Sequence, residues 1–162
     1  MALRYDCGEI ITAMVTPMEK SGAIDYDKVE KLAKYLIDNG SDAILVAGTT
    51  GESPTLTNEE EIELVSTVKR AVANKAKIIL GAGSNSTASA VEYSKFAQKE
   101  EVDAILSVVP YYNKPNQRGM IEHFSTIANS TNLPIIIYNI PSRTGVKNQK
   151  QLHIWQINSK IL

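Results

Sequence analysis

Four polar segments, each directly following a short apolar run, hold the residue types that could do chemistry. The first is Gly48-Thr49-Thr50-Gly51-Glu52-Ser53, where adjacent hydroxyls and glycine-bared backbone N–H groups can bind a carboxylate or phosphate without a full positive charge. A glycine-hinged loop whose threonines bond to their own backbone would read the same way. The second, Gly81-Ala82-Gly83-Ser84-Asn85, carries part of a dinucleotide-binding pattern but lacks its third glycine and its later acidic residue. In the third, Pro110-Tyr111-Tyr112-Asn113-Lys114-Pro115, consecutive tyrosines on an extended segment would point to opposite sides. One could then enter a site while the other meets a neighbour, or both could pack in a core with satisfied hydroxyls. The fourth, Tyr138-Asn139-Ile140-Pro141-Ser142-Arg143-Thr144-Gly145, sets a phenol that can relay protons five residues before a guanidinium that can grip a carboxylate in two bonds. By spacing, such a site binds a small carboxylate and moves protons through hydroxyls. His123 lies in a helical segment beside Phe124 and reads as packed or solvated, and no His-, Cys- or carboxylate-rich set points to a metal or another cofactor.

The elements that must position these segments are legible from periodicity. Apolar, β-branched runs at 9–15, 43–47, 77–81, 104–109 and 134–139 alternate with segments of helical period at 25–38, 57–73, 86–101 and 116–130. Val29, Leu32, Ala33, Leu36 and Ile37 form one apolar stripe, and Thr57-x-x-Glu60 is a capping box opening the next helix. Strict β-α alternation requires parallel strands with right-handed crossovers, and unbroken runs such as Ile135-Ile136-Ile137 require a sheet buried on both faces. A doubly wound open sheet and part of a (β/α)8 barrel both satisfy this. In either, ligands gather at the C-terminal ends of the strands, where all four polar segments lie.

Composition bounds the function. The 162 residues are 43% hydrophobic and 22% charged with a net charge of −1, which argues against disorder and against bulk nucleic-acid binding. The single cysteine, Cys7, excludes an internal disulfide, and no apolar stretch approaches the roughly 20 residues of a spanning helix. A cytoplasmic, soluble chain without a membrane partner is the expectation. Composition breaks after Gly145: 146–162 contains no Gly, Ala, Asp or Glu, holds Trp155, and carries +3 against −4 for 1–145. The chain therefore reads as 1–145 plus a divergent tail over 146–162.

The four segments, with Thr16-Pro17 after the first strand, resemble the dihydrodipicolinate synthase (4-hydroxy-tetrahydrodipicolinate synthase) family over about 9–145. The related N-acetylneuraminate lyases share the glycine-rich loop but usually lack the paired threonines and the Ser-Arg-Thr-Gly ending. The resemblance implies the N-terminal half of a (β/α)8 TIM barrel, about four and a half βα units where a whole barrel takes roughly 250 residues. It also implies a lyase-type enzyme of lysine and diaminopimelate biosynthesis that condenses pyruvate with aspartate semialdehyde through a lysine Schiff base. Thr50 would hold the pyruvate carboxylate and Tyr138 would move protons at the reacting carbon and oxygen. Thr49 would link Tyr138 to Tyr112, which in the family reaches into a neighbouring subunit of a homo-oligomer, a dimer of dimers. Arg143 would hold the carboxylate of the semialdehyde. A lysine pocket of some members corresponds to Ser53, Asn85 and Tyr111, but Ser89 stands where responsive members carry an acid, so feedback inhibition is not expected.

The family's Schiff-base lysine lies beyond the Arg-Thr-Gly, after a further helix, in a strand of the form Ile-x-Gly-Ile-Lys. No such segment occurs in the 162 residues, and Lys160 is the single late candidate. The expectation is thus a truncated, inactive synthase. The alternatives are a non-catalytic half-barrel that associates with a partner or with full-length subunits, and an N-acetylneuraminate lyase-like member of the same family.

Overall fold

In the computed structural model, residues 6–147 are described; the tail beyond them, with Lys160, lies outside the described residues. Two compact units divide the chain after Gly81.

The first unit contains β1 (Ile11–Ala13), α1 (Tyr26–Asp38), β2 (Ala43–Val46), α2 (Asn58–Val72) and β3 (Lys77–Gly81). The three strands pair in parallel, with Ile11 opposite Ala43 and Ala43 opposite Lys77. The helices form where the stripes require: Val29 and Ala33 of α1 and Leu64, Val65 and Val68 of α2 are fully buried. Each side chain the size of Leu64 contributes about 1.5–3 kcal/mol on leaving water. The capping box is made in both halves. Thr57 Oγ1 accepts from the Glu60 N–H and Glu60 Oε2 accepts from the Thr57 N–H, so two donors that the first helical turn leaves unpaired are satisfied. β1 is shorter than the apolar run over 9–15 suggests. Its three residues pair with β2, while Ile10 and Val15 on either side are exposed.

The second unit contains α3 (Thr87–Lys99), β4 (Ala104–Val108), α4 (Gln117–Ser130), β5 (Ile135–Tyr138) and a single helical turn, α5 (Pro141–Thr144). β4 and β5 pair in parallel, with Ile105 opposite Ile135 and Val108 opposite Tyr138. Phe124, Met120 and Ile127 of α4 and Ile105 and Ile135 of the strands have no exposed surface. α5 was not expected as a helix, yet its signals are in the sequence: Pro141 at the first position, where no N–H is needed, and Gly145 closing it at φ +72°.

Candidate functional site

The turn after β2 is built by strained backbone held at two anchor points. Ala47 enters it at φ +50° and Glu52 leaves it at φ +58°, left-handed conformations that cost a non-glycine residue about 1–3 kcal/mol each and survive only where neighbours impose them. The neighbours are identifiable. Buried Thr16 donates from Oγ1 to the Gly51 carbonyl at 2.7 Å, and Ser53 donates from Oγ to Glu61 Oε1 at 3.0 Å. Inside the turn, the Gly51 N–H returns to the Gly48 carbonyl and the Glu52 N–H to Thr49. Thr49 and Thr50, between the anchors, are exposed, and among the described residues neither their hydroxyls nor their backbone N–H groups are bonded to another group. Four donors on two adjacent exposed residues are thus left without a partner among the described residues, a set that suits a small oxyanion. The threonines are not spent on bonds to their own backbone.

Glu61 escaped the reading of candidate residues. It lies in register with Leu64, Val65 and Val68 on the buried stripe of α2 and is only 5% exposed. A carboxylate on an apolar stripe was the available signal. Burial pushes its carboxyl above the ordinary carboxylate range, and the Ser53 hydroxyl offsets this in part.

Gly81 and Gly83 have a packing explanation in place of a phosphate-binding one. A Cβ on Gly81 would overlap the carbonyl of Ala47, and one on Gly83 would overlap the N–H side of Val108. Each glycine lets two backbones approach closely, so the partial dinucleotide pattern records close packing.

In the second unit, Tyr138 ends β5, half-buried, with its carbonyl accepting from Val109 and its hydroxyl unbonded among the described residues. Arg143 lies on α5, exposed and without an ion pair among the described residues. Thr144 beneath it is buried, its hydroxyl near the carbonyls of Ile140 and Val146. The expectation of an extended Tyr111-Tyr112 segment is corrected. Tyr112 has φ +66°, and the Asn113 N–H closes a tight turn onto the Tyr111 carbonyl at 2.8 Å. Tyr112 is 89% exposed and Tyr111 39% exposed, so neither is a core residue.

Of the two readings of His123, packed or solvated, the structure gives the packed one. It is 4% exposed, its Nδ1 lies 2.8 Å from Thr87 Oγ1, and its Nε2 is buried without a partner among the described residues. Burial lowers its pKa because the imidazolium would lose its hydration. An unfolded histidine, titrating near 6.5, then binds a proton that the folded one refuses, so stability falls as pH drops from about 6.5 toward the lowered value. Urea unfolding across this interval is expected to show that slope in the wild type and to lose it in His123→Gln; an unchanged slope in the variant would assign the effect elsewhere. Among the described residues no three His, Cys, Asp or Glu side chains gather as a metal site, and no helix is long and apolar enough to cross a membrane.

Comparison with known proteins bears on these segments. The chain is 56% identical over 138 residues to the 4-hydroxy-tetrahydrodipicolinate synthase of Moorella thermoacetica, covering 85% of this chain and 47% of that one. It is 57% identical over 139 residues to the enzyme of the same name from Dehalococcoides mccartyi, again covering 47% of it. The chain spans about half the length of the curated relatives it matches. Among solved structures, the synthase of Cyanidioschyzon merolae, crystallised with lysine bound, superposes with a TM-score of 0.90 at 51% identity over 93% of this chain and 52% of that one. The synthase of Methylacidiphilum fumariolicum SolV gives 0.91 at 46% identity, covering 94% and 51%. These matches and the alternating parallel βα units make the fold that of the N-terminal half of a (β/α)8 barrel. The family match itself extends over residues 6–158, and on it the chain belongs to the dihydrodipicolinate synthetase family.

Proposed function

We propose that this chain carries the pyruvate-binding and proton-relay residues of a 4-hydroxy-tetrahydrodipicolinate synthase, the enzyme that condenses pyruvate with aspartate semialdehyde. The observation that carries the reading is the turn after β2, where the hydroxyls and N–H groups of Thr49 and Thr50, between two anchors, have no partner among the described residues. Thr50 and its neighbouring N–H groups hold the pyruvate carboxylate. The Tyr138 phenol exchanges protons at the reacting carbon and oxygen, and Thr49 and Tyr112 are the other residues assigned to proton transfer. Arg143, without an ion pair among the described residues, receives the semialdehyde carboxylate by a two-bond grip.

The amine nucleophile is separate from these groups. It forms the Schiff base that makes the pyruvate methyl acidic, and hydroxyl relays do not substitute for it. Since no Ile-x-Gly-Ile-Lys segment is present, the 162-residue polypeptide is expected to bind pyruvate reversibly and to form no covalent adduct. Calorimetric titration with pyruvate, followed by borohydride reduction and mass spectrometry, tests both parts. Absence of saturable binding would sink the reading of the turn; a pyruvate adduct mapped to Lys160 would sink the non-covalent part and make that lysine the nucleophile.

The exposure of Tyr112 supports the second reading, association with another subunit, because a phenol 89% exposed on a strained turn has no role in the protomer's own packing. Sedimentation velocity is expected to show a self-associated species that Tyr112→Ala weakens. A wild type that remains monomeric at every concentration would rule this out.

A further inference from the structure

The polar loops of the second unit are tied to one another by side chains that the proposed reaction leaves unused. Asn113 is the centre. Its Nδ2 donates to the backbone carbonyl of Asn85 at 2.8 Å, and its Oδ1 accepts from Asn85 Nδ2 at 3.2 Å. A carbonyl can only accept, so the first bond fixes which way the Asn113 amide faces and the second is consistent with it. Asn113 is flanked by two non-glycine residues in the left-handed region, Tyr112 at φ +66° and Lys114 at φ +48°. Strain of this kind persists where surrounding contacts over-determine it. Tyr112 has almost no packing of its own, so the constraint must come from the paired asparagines and from the Asn113 N–H bond to the Tyr111 carbonyl.

Lys114 carries the constraint onward. Its aliphatic chain lies against Gly145: a Cβ there would come within 2.9 Å of Lys114 Cε. Gly145, at φ +72°, closes the helical turn that bears Arg143, and its N–H bonds to the Pro141 carbonyl. Glycine at this place thus serves twice, supplying the left-handed cap and leaving the space that Lys114 fills. A second tie runs parallel to it, from Gln117 Nε2 to the Lys147 carbonyl at 2.9 Å.

We infer that Asn113 is a positioning residue that sets Tyr112 directly and, through Lys114 packed on Gly145, sets the turn that carries Arg143. Its consequence for substrate rests on the proposed function: the loop that presents the relay tyrosine and the turn that grips the second carboxylate take up their geometry together. Coupling between contacting elements of this sort changes ligand affinity by on the order of 2- to 30-fold.

The test is made on the isotopically labelled 162-residue chain by amide NMR, with pyruvate and succinate semialdehyde as probes. Asn113→Ala is expected to shift the amides of Arg143, Thr144 and Gly145 as well as that of Tyr112, and Asn85→Ala to give the same pattern. In a Lys114→Ala background, Asn113→Ala should still move Tyr112 and no longer move Arg143 to Gly145. Asn113→Asp, which keeps the acceptor and loses the donor, gives an intermediate pattern and stands in if the alanine variant unfolds. Succinate semialdehyde affinity should fall within the stated range in Asn113→Ala while pyruvate affinity holds, a split that general loosening would not produce. Unshifted Arg143 to Gly145 amides, or shifts that survive removal of Lys114, would overturn the inference. If the wild type binds neither probe yet the amide pattern appears, the clamp is supported and the proposed function is what fails.

Discussion

Thr50→Val is expected to weaken pyruvate binding by about 10- to 100-fold. The substitution keeps the branched shape and removes the hydroxyl, so a bond to a charged carboxylate is lost, worth about 1.5–3 kcal/mol, and each 1.4 kcal/mol is roughly a factor of ten in affinity. The backbone N–H groups of the turn remain, and residual weak binding should reflect them. Thr49→Val makes the internal comparison. If Thr49 serves the proton relay, its loss leaves pyruvate affinity nearly unchanged, and the two threonines separate by role. Calorimetric titration of both variants decides the matter; equal losses would mean that both hydroxyls hold the carboxylate, and no loss in Thr50→Val would remove Thr50 from the binding site.

The second large effect is expected at Gly81. A Cβ at this position would overlap the Ala47 carbonyl, which is backbone at the end of β2 and is already held at positive φ. No side chain can swing aside to relieve it, so Gly81→Ala must displace either the end of β3 or the entry to the threonine turn. Overpacking typically costs about 1–3 kcal/mol, and a clash with backbone belongs at or beyond the top of that range. Gly48→Ala is the control, because its Cβ would meet only the Leu45 side chain at 3.1 Å, and a leucine methyl can rotate away. Urea denaturation should show the Gly81 variant losing at least about 3 kcal/mol and the Gly48 variant clearly less. Comparable losses would mean that β3 yields at Gly81. Because Ala47 leads directly into the turn, the Gly81 variant should lose pyruvate affinity as well.

Element order and type were legible because each rests on local information. The buried stripe of α2 and its capping box are readable within a few residues, and the structure places a helix on them; the proline and glycine around α5 are equally local, but no helix was read from them. Even the polar segments were legible, since each follows a strand and strand ends are where parallel sheets expose loops. Where local reading failed, a long-range contact had replaced the local preference. Tyr111-Tyr112 between prolines favours extended backbone, yet Tyr112 is left-handed beside an asparagine bonded to a loop 28 residues earlier. Gly81 and Gly83 resemble a phosphate-binding turn, and what they record is the proximity of Ala47 and Val108, which no spacing announces.

The sequence by itself determined that the chain alternates β and α, that its strands are parallel, and that hydroxyl-, phenol- and guanidinium-bearing residues collect at the strand ends. Period, caps and turn residues act over one or two turns of chain and survive in a linear reading. Only the tertiary structure decided what holds those residues in place: Thr16 on Gly51 from 35 residues away, Glu61 on Ser53, and Asn113 on Asn85. Such bonds exist only once the helices and strands have packed, because packing alone brings polar groups distant in sequence to within hydrogen-bonding distance.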